Sequence, residues 1–341
     1  MRTIEWNDGV VTTLDQTALP HQEVWIKLRT PEDVASAIRD MKIRGAPLIG
    51  VAAALGLALA AYKSRAGNRD EFLNELERSA EILRSTRPTA INLFWAVDRV
   101  MRAAVETEGD VECLRHAVIR EANKIVDEDV NINLRIGREG SKLIEDGDTI
   151  LTHCNAGSLA TVEYGTALAV IRMAWNDGKK IRVIVDETRP LLQGARLTAY
   201  ELMRDGIPVT LIADSAAGYF MSKGLVNKII VGADRIVEDA VINKIGTYSL
   251  AILAKENRVP FYVAAPTSSF DLSKRSEHVI IEERSPDEIT MIGPYRIAPH
   301  GVKVLNPAFD VTPLKYVSAI ISENGVLDRR DLANLKRIVK I

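Results

Sequence analysis

Cysteine is scarce in this sequence, which has Cys113 and Cys154 as its two cysteines among 341 residues. A chain so long and so poor in cysteine is not a disulfide-stapled secreted domain. Neither sign of charge dominates, since 44 basic residues oppose 46 acidic ones and the net charge is −2. This balance gives no basic surface for nucleic acid. Because the first residues also lack a signal-peptide pattern, we expect the protein to be cytoplasmic.

Short motifs of several enzyme classes are missing as well. The sequence has no G-x-G-x-x-G pattern after a predicted strand and no G-x-x-x-x-G-K-[ST] loop, so it indicates neither nicotinamide nor P-loop nucleotide binding. It also lacks the G-x-S-x-G elbow of the α/β-hydrolases. The histidines show no metal-ligand spacing with one another or with cysteine, and we expect no metal site. The histidines are His21, His116, His153, His278 and His300.

One uncharged stretch, residues 45–62, reaches the 18 residues at which a membrane-spanning helix becomes possible. Ten of these residues are Ala or Gly, which contribute little to transfer into lipid, and Pro47 lies near the start. We therefore predict a buried, closely packed helix and no association with a membrane.

Residues 1–145 predict a mainly helical domain with a small β-ribbon. The ribbon is indicated over residues 1–29 by short apolar runs around Asn-Asp-Gly and Leu-Pro. A helix start follows, because Thr30 can cap the helix and Pro31 fits the first helical position. Besides 45–62, further helices are predicted over 70–84, 88–105, 110–126 and 128–145.

Residues 146–341 predict a second domain, a Rossmann-like α/β fold. Short apolar runs alternate with helical patterns there, which predicts a parallel sheet covered by helices on both faces. The predicted strands are 149–154, 181–186, 208–214, 228–234 and 261–266. The predicted helices are 159–175, 194–204 and 244–257, and the tail after residue 325 is predicted to be an amphipathic surface helix.

Ligands bind at the carboxyl ends of the strands in such sheets, which draws attention to Cys154 and Asp234. Cys154 precedes a predicted helix, whose N-terminus would lower the pKa of the thiol. The alternative is a buried, inert cysteine, as we expect for Cys113.

Asp234 follows an apolar run, so desolvation would raise its pKa and suit it to donate a proton. Its alternatives are a helix cap or an ion pair with Arg235. We interpret Asp214, at another strand end, as a helix cap.

Three cationic residues, Arg44, Arg87 and Lys244, lie at predicted helix starts. A cation beside exposed helix amides suits a phosphate group. Each residue could equally be a solvated surface charge, but three at helix starts favour phosphate binding. The residues alone therefore predict a site for a phosphorylated small molecule, with a thiol and a carboxyl group at a sheet edge.

Several segments, in order from about residue 3 to residue 325, closely resemble the methylthioribose-1-phosphate isomerase family. This family shares its fold with ribose-1,5-bisphosphate isomerase and with the regulatory subunits of eukaryotic translation initiation factor 2B. The matching segments are RGAP at 44–47, RPTAINL at 87–93, THCNAGSLAT at 152–161, DETRP at 186–190, QGARLTA at 193–199, GADRI at 232–236, NKIGTY at 243–248 and NPAFDVTP at 306–313.

The resemblance implies an aldose–ketose isomerase that converts 5-methylthioribose 1-phosphate to 5-methylthioribulose 1-phosphate in methionine salvage. It also implies a homodimer that uses no metal and no redox cofactor. Carried over position by position, it makes Asp234 the proton donor and Cys154 the assisting thiol. The substrate contacts carried over in the same way are Arg44, Gly45, Ala46, Arg87, Gln193, Asn243 and Lys244.

Two departures from the family pattern bear on the substrate. The segment 237–242 looks one residue shorter than in typical bacterial members and lacks their Asn-Gly turn, and the tail lies outside the motifs. The rival functions are isomerisation of ribose 1,5-bisphosphate or 5-deoxyribose 1-phosphate, and a non-catalytic regulatory subunit of the translation factor. A binding scaffold does not need Cys154 and Asp234 together with the phosphate-contact motifs, which favours the enzyme.

Overall fold

The computed structural model describes residues 1–87 and 90–339 of the chain. They form two compact units, one of Met1–Arg135 with Gly157–Ala169 and one of Ile136–Ala156 with Val170–Ile341. The predicted boundary at residue 145 therefore differs from the observed one, which falls inside a continuous helix. The chain returns to the first unit over residues 157–169, and neither the composition nor the hydrophobic periodicity of this segment predicts the return.

The first unit combines a three-stranded antiparallel ribbon with helices, as predicted. Its strands are β1 (Ile4–Asn7), β2 (Val10–Leu14) and β3 (Trp25–Leu28). Its helices are α1 (Pro31–Arg39), α2 (Ala46–Lys63), α3 (Arg69–Arg84), α4 (Ile91–Glu106) and α5 (Val111–Ser141), which runs on into the second unit. Thr30 caps α1 reciprocally with Asp33, and Pro31 occupies the first helical position.

Helix α2 is the centre of the first unit's core. By length and composition α2 could cross a membrane, but 78% of this stretch is buried in the protein, as in the core helix of a soluble domain. It packs against α1, α3 and α4. A side chain at Gly50 would come within 2.7 Å of the Asn92 carbonyl oxygen of α4, so this close packing requires the small residue. The predicted buried helix is confirmed.

Three helix predictions were wrong in their extent. The segments 110–126 and 128–145 form the single helix α5, because neither Gly nor Pro interrupts residues 111–136. The helix predicted over 159–175 begins only at Ala167, after positive φ angles at Tyr164 and Gly165. Pro88 and Thr89, which open the segment 88–105 and belong to one family motif, lie outside the described residues.

The second unit is an α/β fold. Its strands are β4 (Thr149–Thr152), β5 (Arg182–Asp186), β6 (Val209–Ile212), β7 (Lys228–Val231), β8 (Arg235–Val237), β9 (Ala240–Lys244), β10 (Phe261–Ala264), β11 (Phe270–Asp271), β12 (Met291–Ile292), β13 (Tyr295–Arg296), β14 (Phe309–Pro313), β15 (Ala319–Ser322) and β16 (Gly325–Asp328). Its helices are α6 (Ala167–Asn176), which begins in the first unit, α7 (Ala199–Arg204), α8 (Ala217–Ser222), α9 (Thr247–Glu256), α10 (Asp287–Thr290), α11 (Arg329–Leu332) and α12 (Leu335–Ile338).

A seven-stranded sheet organises this unit in the order β16-β15-β10-β7-β4-β5-β6. All neighbours pair in parallel except β15 and β16, and all five predicted strands belong to the sheet. The predicted Rossmann-like fold is thus confirmed. The amphipathic helix predicted for the tail is only partly correct, because residues 325–328 form a strand that pairs with β15. The helical part consists of the short α11 and α12, whose Leu332 and Leu335 are buried. Beside the large sheet, β8, β9, β11 and β14 form a smaller one.

Candidate active site

The carboxyl ends of three adjacent strands bring chemical groups to one edge of the large sheet. Cys154 lies two residues after β4, Asp186 ends β5, and Asp234 lies three residues after β7. Because β7, β4 and β5 are parallel neighbours, these residues share one edge. Cys154 and Asp234 are both half-buried.

The backbone of Cys154 has a φ of 62°, in the left-handed region that a side chain disfavours. Two threonines hold it there. Thr188 Oγ1 accepts a hydrogen bond from the Cys154 amide at 2.9 Å, and Thr198 Oγ1 donates to the Cys154 carbonyl at 2.6 Å. The α-helix predicted directly after Cys154 is absent, since α6 begins at Ala167, so the helix-dipole argument for the thiol pKa does not hold.

Thr198 reaches Cys154 from a π-helical turn, Gly194–Thr198, that leads into α7. Single π turns of this kind occur frequently at functional sites. Gly194 is necessary because a Cβ there would lie 1.8 Å from the Asp186 carbonyl oxygen. Gln193, just before the turn, is 5% exposed, and its Oε1 has no hydrogen-bond partner among residues 1–87 and 90–339.

His153 is buried between two oxygen acceptors. Its Nδ1 lies 2.8 Å from both carboxylate oxygens of Asp186, and its Nε2 lies 2.8 Å from the Ile245 carbonyl oxygen. Burial alone would lower the pKa of His153, but the charge and hydrogen bond of Asp186 outweigh it, so the pKa is raised. Both nitrogens are engaged and neither remains for Cys154. Asp186 is therefore the ion-pair partner of His153.

Lys244 is the last residue of β9 and is only 6% exposed. Its Nζ lies 6.0 Å from the Phe309 ring centroid and forms no ion pair or hydrogen bond with any residue that the structure describes. Burial lowers the pKa of Lys244, while the negative charges of Cys154 and Asp234 oppose that shift. The structure therefore brings a cation, the thiol and the carboxyl group within electrostatic range of one another.

Helix α9 does not begin at Lys244, as predicted, but at Thr247. Asn243 and Lys244 belong to a strand because they pair with Asp310 and Phe309 of β14, and both side chains are buried. The first amides of α9 are already bound, since Asp310 accepts hydrogen bonds from Gly246 at 2.7 Å and from Tyr248 at 3.1 Å. The end of α9 is thus closed to a phosphate by a carboxylate of the protein.

Four predicted substrate contacts belong to the first unit. These are Arg44, Gly45, Ala46 and Arg87. Arg44 is buried, and Ala46 begins α2 as expected for a helix start. Gly45 has a φ of 93°, and a side chain there would lie 2.5 Å from the Ala160 backbone. The Arg87 guanidinium contacts Met41 Sδ at 3.4 Å.

One group of possible metal ligands occurs in the described part of the chain around His153, Asp186 and Asp214, whose ligand atoms lie within 4.8 Å of one another. Hydrogen bonds within the protein account for this group. Besides the His153 contacts, Asp214 accepts from the amides of Thr188 and Arg189, both at 2.7 Å. The prediction of Asp214 as a helix cap was therefore wrong, because its carboxylate binds the neighbouring loop. We assign no metal to the group.

The chain is similar to known proteins over most of its length. Residues 42–329 match the model of the initiation factor 2 subunit family. The methylthioribose-1-phosphate isomerase of Acetivibrio thermocellus is 56% identical over 330 residues, which cover 96% of each chain.

Two solved structures resemble this chain along its whole length. One, a 5-methylthioribose 1-phosphate isomerase from Pyrococcus horikoshii OT3, is 49% identical with a TM-score of 0.92 and covers 98% of this chain and 95% of its own. The other, described as translation initiation factor eIF-2B subunit delta from A. fulgidus, is 50% identical with a TM-score of 0.89 and full coverage of both chains. Because the two descriptions differ at nearly equal identity, the site chemistry has to discriminate between them.

Proposed function

The chain belongs to the initiation factor 2 subunit family, and from that membership we propose that it is an aldose–ketose isomerase acting on 5-methylthioribose 1-phosphate. The product is 5-methylthioribulose 1-phosphate, a step of methionine salvage. The relatives described as this isomerase support the substrate. We further propose that the protein works in the cytoplasm as a homodimer.

The observation that carries the proposal is the environment of Lys244. A buried ammonium group without a counter-charge is costly, and it is stabilised by an anion or loses its proton. Lys244 has no ion pair in the described residues, and the two groups that most oppose the lowering of its pKa, Cys154 and Asp234, are the ones proposed for the chemistry. A phosphate group would supply the counter-charge and hold a sugar beside Cys154 and Asp234.

The reaction requires a proton at a particular oxygen. The phosphate blocks the anomeric oxygen, so the sugar ring must open with the phosphate attached, and a proton on the ring oxygen assists that step. Asp234 is the proposed donor and Cys154 the assisting thiol. One hydrogen then moves from C2 to C1 and the C2 hydroxyl loses its proton, so that an isomer forms without a redox partner. A site that excludes water protects the open form, whether the hydrogen moves as a proton or as a hydride.

The remaining assigned contacts complete the proposal. Gln193, just before the π-helical turn, and Asn243, next to Lys244 on β9, are buried amides, and amides suit sugar hydroxyls. The role of Arg44, Gly45, Ala46 and Arg87 in phosphate binding rests on the resemblance.

The environment of Lys244 also favours a substrate with one phosphate. Arg284, another cation that influences the pKa of Lys244, is already paired with Glu282 at 2.9 Å and Glu288 at 2.7 Å. It is therefore neutralised by the protein and is not available to a second phosphate. Ribose 1,5-bisphosphate fits this side of the site less well than a sugar with an uncharged C5 substituent.

The test is a coupled ketose assay of the purified protein with 5-methylthioribose 1-phosphate, ribose 1,5-bisphosphate and 5-deoxyribose 1-phosphate. We expect turnover of the methylthio sugar, a large rise in KM for Lys244→Met, and no change for the matched control Lys274→Met, whose side chain is half-exposed. Turnover of ribose 1,5-bisphosphate alone would overturn the proposed assignment of the substrate. Absence of any turnover, with co-purifying translation-factor subunits, would favour the binding role. A measured mass near twice 37.6 kDa would support the homodimer.

A further inference from the structure

We propose that His153 is a positioning residue of this site, whose ring holds the segment carrying Cys154 against the segment carrying Lys244. The proposal rests on the isomerase function proposed above. It concerns a residue that touches neither the substrate nor the reacting atoms and that acts through its neighbours.

The geometry connects two parts of the chain that are distant in sequence. His153 directly precedes Cys154, and its Nε2 bonds the carbonyl of Ile245, which directly follows Lys244. The distance of 2.8 Å, with the ring only 2% exposed, leaves no room for water between them. One end of this hydrogen bond is therefore the residue next to Cys154, and the other end is the residue next to Lys244.

The backbone at the far end is shaped for the ring. Gly246 has a φ of 105°, and a Cβ there would lie 2.9 Å from His153 Cε1. A larger residue would therefore push the ring away from Ile245 or distort the turn that follows Lys244.

Asp186 extends the same arrangement to the other side of Cys154. Its Oδ1 accepts from Thr188 Oγ1 at 2.9 Å, and Thr188 Oγ1 in turn accepts from the Cys154 amide. One carboxylate thus orients both the histidine before Cys154 and the threonine that holds its strained backbone.

The charge state of His153 distinguishes a positioning role from a role as a catalytic acid or base. Both ring nitrogens face oxygen acceptors, an arrangement that a ring with a hydrogen on each nitrogen satisfies. The carboxylates of Asp186, Asp214 and Asp310 act on it electrostatically, and Lys244 is a second cation that acts on Asp310. A ring that keeps both hydrogens transfers neither to the substrate.

The test compares His153→Leu with Asp186→Asn and with the control His278→Leu, whose ring is exposed. Asn at 186 can donate to Nδ1 of a neutral His153 that still donates to Ile245, so we expect a loss of turnover no greater than about threefold. For His153→Leu we expect kcat to fall about 10- to 100-fold, as for a small misplacement of a reacting group, with KM nearly unchanged. The control should behave as wild type.

Alkylation of Cys154 tests the positioning role of His153 independently of the proposed isomerase activity. Iodoacetamide should label Cys154 at a rate at least about threefold different in His153→Leu, with labelling of Cys113 unchanged, whether or not the wild type turns over the sugar. A folded His153→Leu with wild-type kcat and wild-type labelling of Cys154 would overturn the positioning role, and so would a change confined to KM or to melting temperature. If His153→Leu does not fold, His153→Gln, which can still donate to Ile245, should keep kcat and Cys154 labelling near wild type, and a loss of kcat of about 10-fold or more in that folded variant would overturn the role.

Discussion

Asp129, in the middle of α5, should make the stability of the protein depend on pH. Its carboxylate is buried and accepts a hydrogen bond from the Val162 amide at 2.7 Å, which attaches the segment 157–169 to α5 within the first unit. The described residues give it no ion pair. Burial raises the pKa of Asp129 from 3.8 to about 7, although the hydrogen bonds from Val162 and Asn133 oppose the shift.

The sign follows from proton uptake. Between pH 4 and pH 7 the unfolded chain releases this proton while the folded protein keeps it, so the contribution to stability is full below about pH 4 and is lost as pH rises through 7. One pKa unit corresponds to about 1.4 kcal/mol, so the complete loss is roughly 4 kcal/mol as an upper value. Asp129→Asn removes the ionisation and keeps an oxygen that can accept from Val162.

Thermal melting of wild type, Asp129→Asn and the exposed control Asp127→Asn at pH 5 and pH 8.5 tests this reasoning. We expect Asp129→Asn to melt higher than wild type at pH 8.5, by roughly 3 to 10 °C for a unit of this size. At pH 5 the difference should be much smaller, and the control should show none at either pH. Two results would refute a raised pKa for Asp129: a lower melting temperature of Asp129→Asn than of wild type at pH 8.5, or a gain in melting temperature that does not depend on pH.

Three further predictions concern the site. Asp234→Asn should lose about 10²- to 10⁴-fold in turnover, the range for loss of a general acid, while melting temperature and substrate affinity stay near wild type; near-normal turnover would mean that another group is the acid. Substrate should protect Cys154 but not Cys113 from iodoacetamide, as peptide mapping can show, and equal labelling of Cys154 with and without substrate would count against its role. Gly246→Ala should cost about 1–3 kcal/mol in unfolding free energy, through its positive φ and its clash with His153, and lower kcat in parallel; unchanged kcat would contradict the close approach.

The parts of the fold that sequence reasoning predicted well depend on local signals. The interiors of β5 and β7 are apolar because both faces of the sheet are covered, and Asp186 and Asp234 lie at or just beyond their carboxyl ends as expected. The start of α1 follows from Thr30 and Pro31 alone, since a cap involves only the first turn of a helix.

The parts that were missed depend on contacts between distant residues. Thr188 and Thr198 bind the backbone of Cys154 from 34 and 44 residues away, and nothing in their immediate neighbours indicates it. The helical pattern of residues 244–257 predicts a helix start at Lys244, yet pairing of β9 with β14 makes this residue the end of a strand. The polar residues inside apolar strand ends, His153 among them, were the available signal, but their partners could not be chosen from the sequence.

The π-helical turn Gly194–Thr198 makes the spacing of this segment as important as its composition. A π turn contains one residue more than the regular helix would need, so deletion of one residue, for example Ala195, would restore ordinary helical hydrogen bonding up to α7. Because one residue of a helix corresponds to about 100° of rotation, the same deletion would turn Gln193 and Gly194 by that angle relative to α7. These two residues would then move away from the end of β5, while Thr198 would keep its place next to α7. A more regular helix and the observed placement of Gln193 and Gly194 beside β5 are therefore competing outcomes here, and substitution scanning, which preserves length, would not detect the conflict.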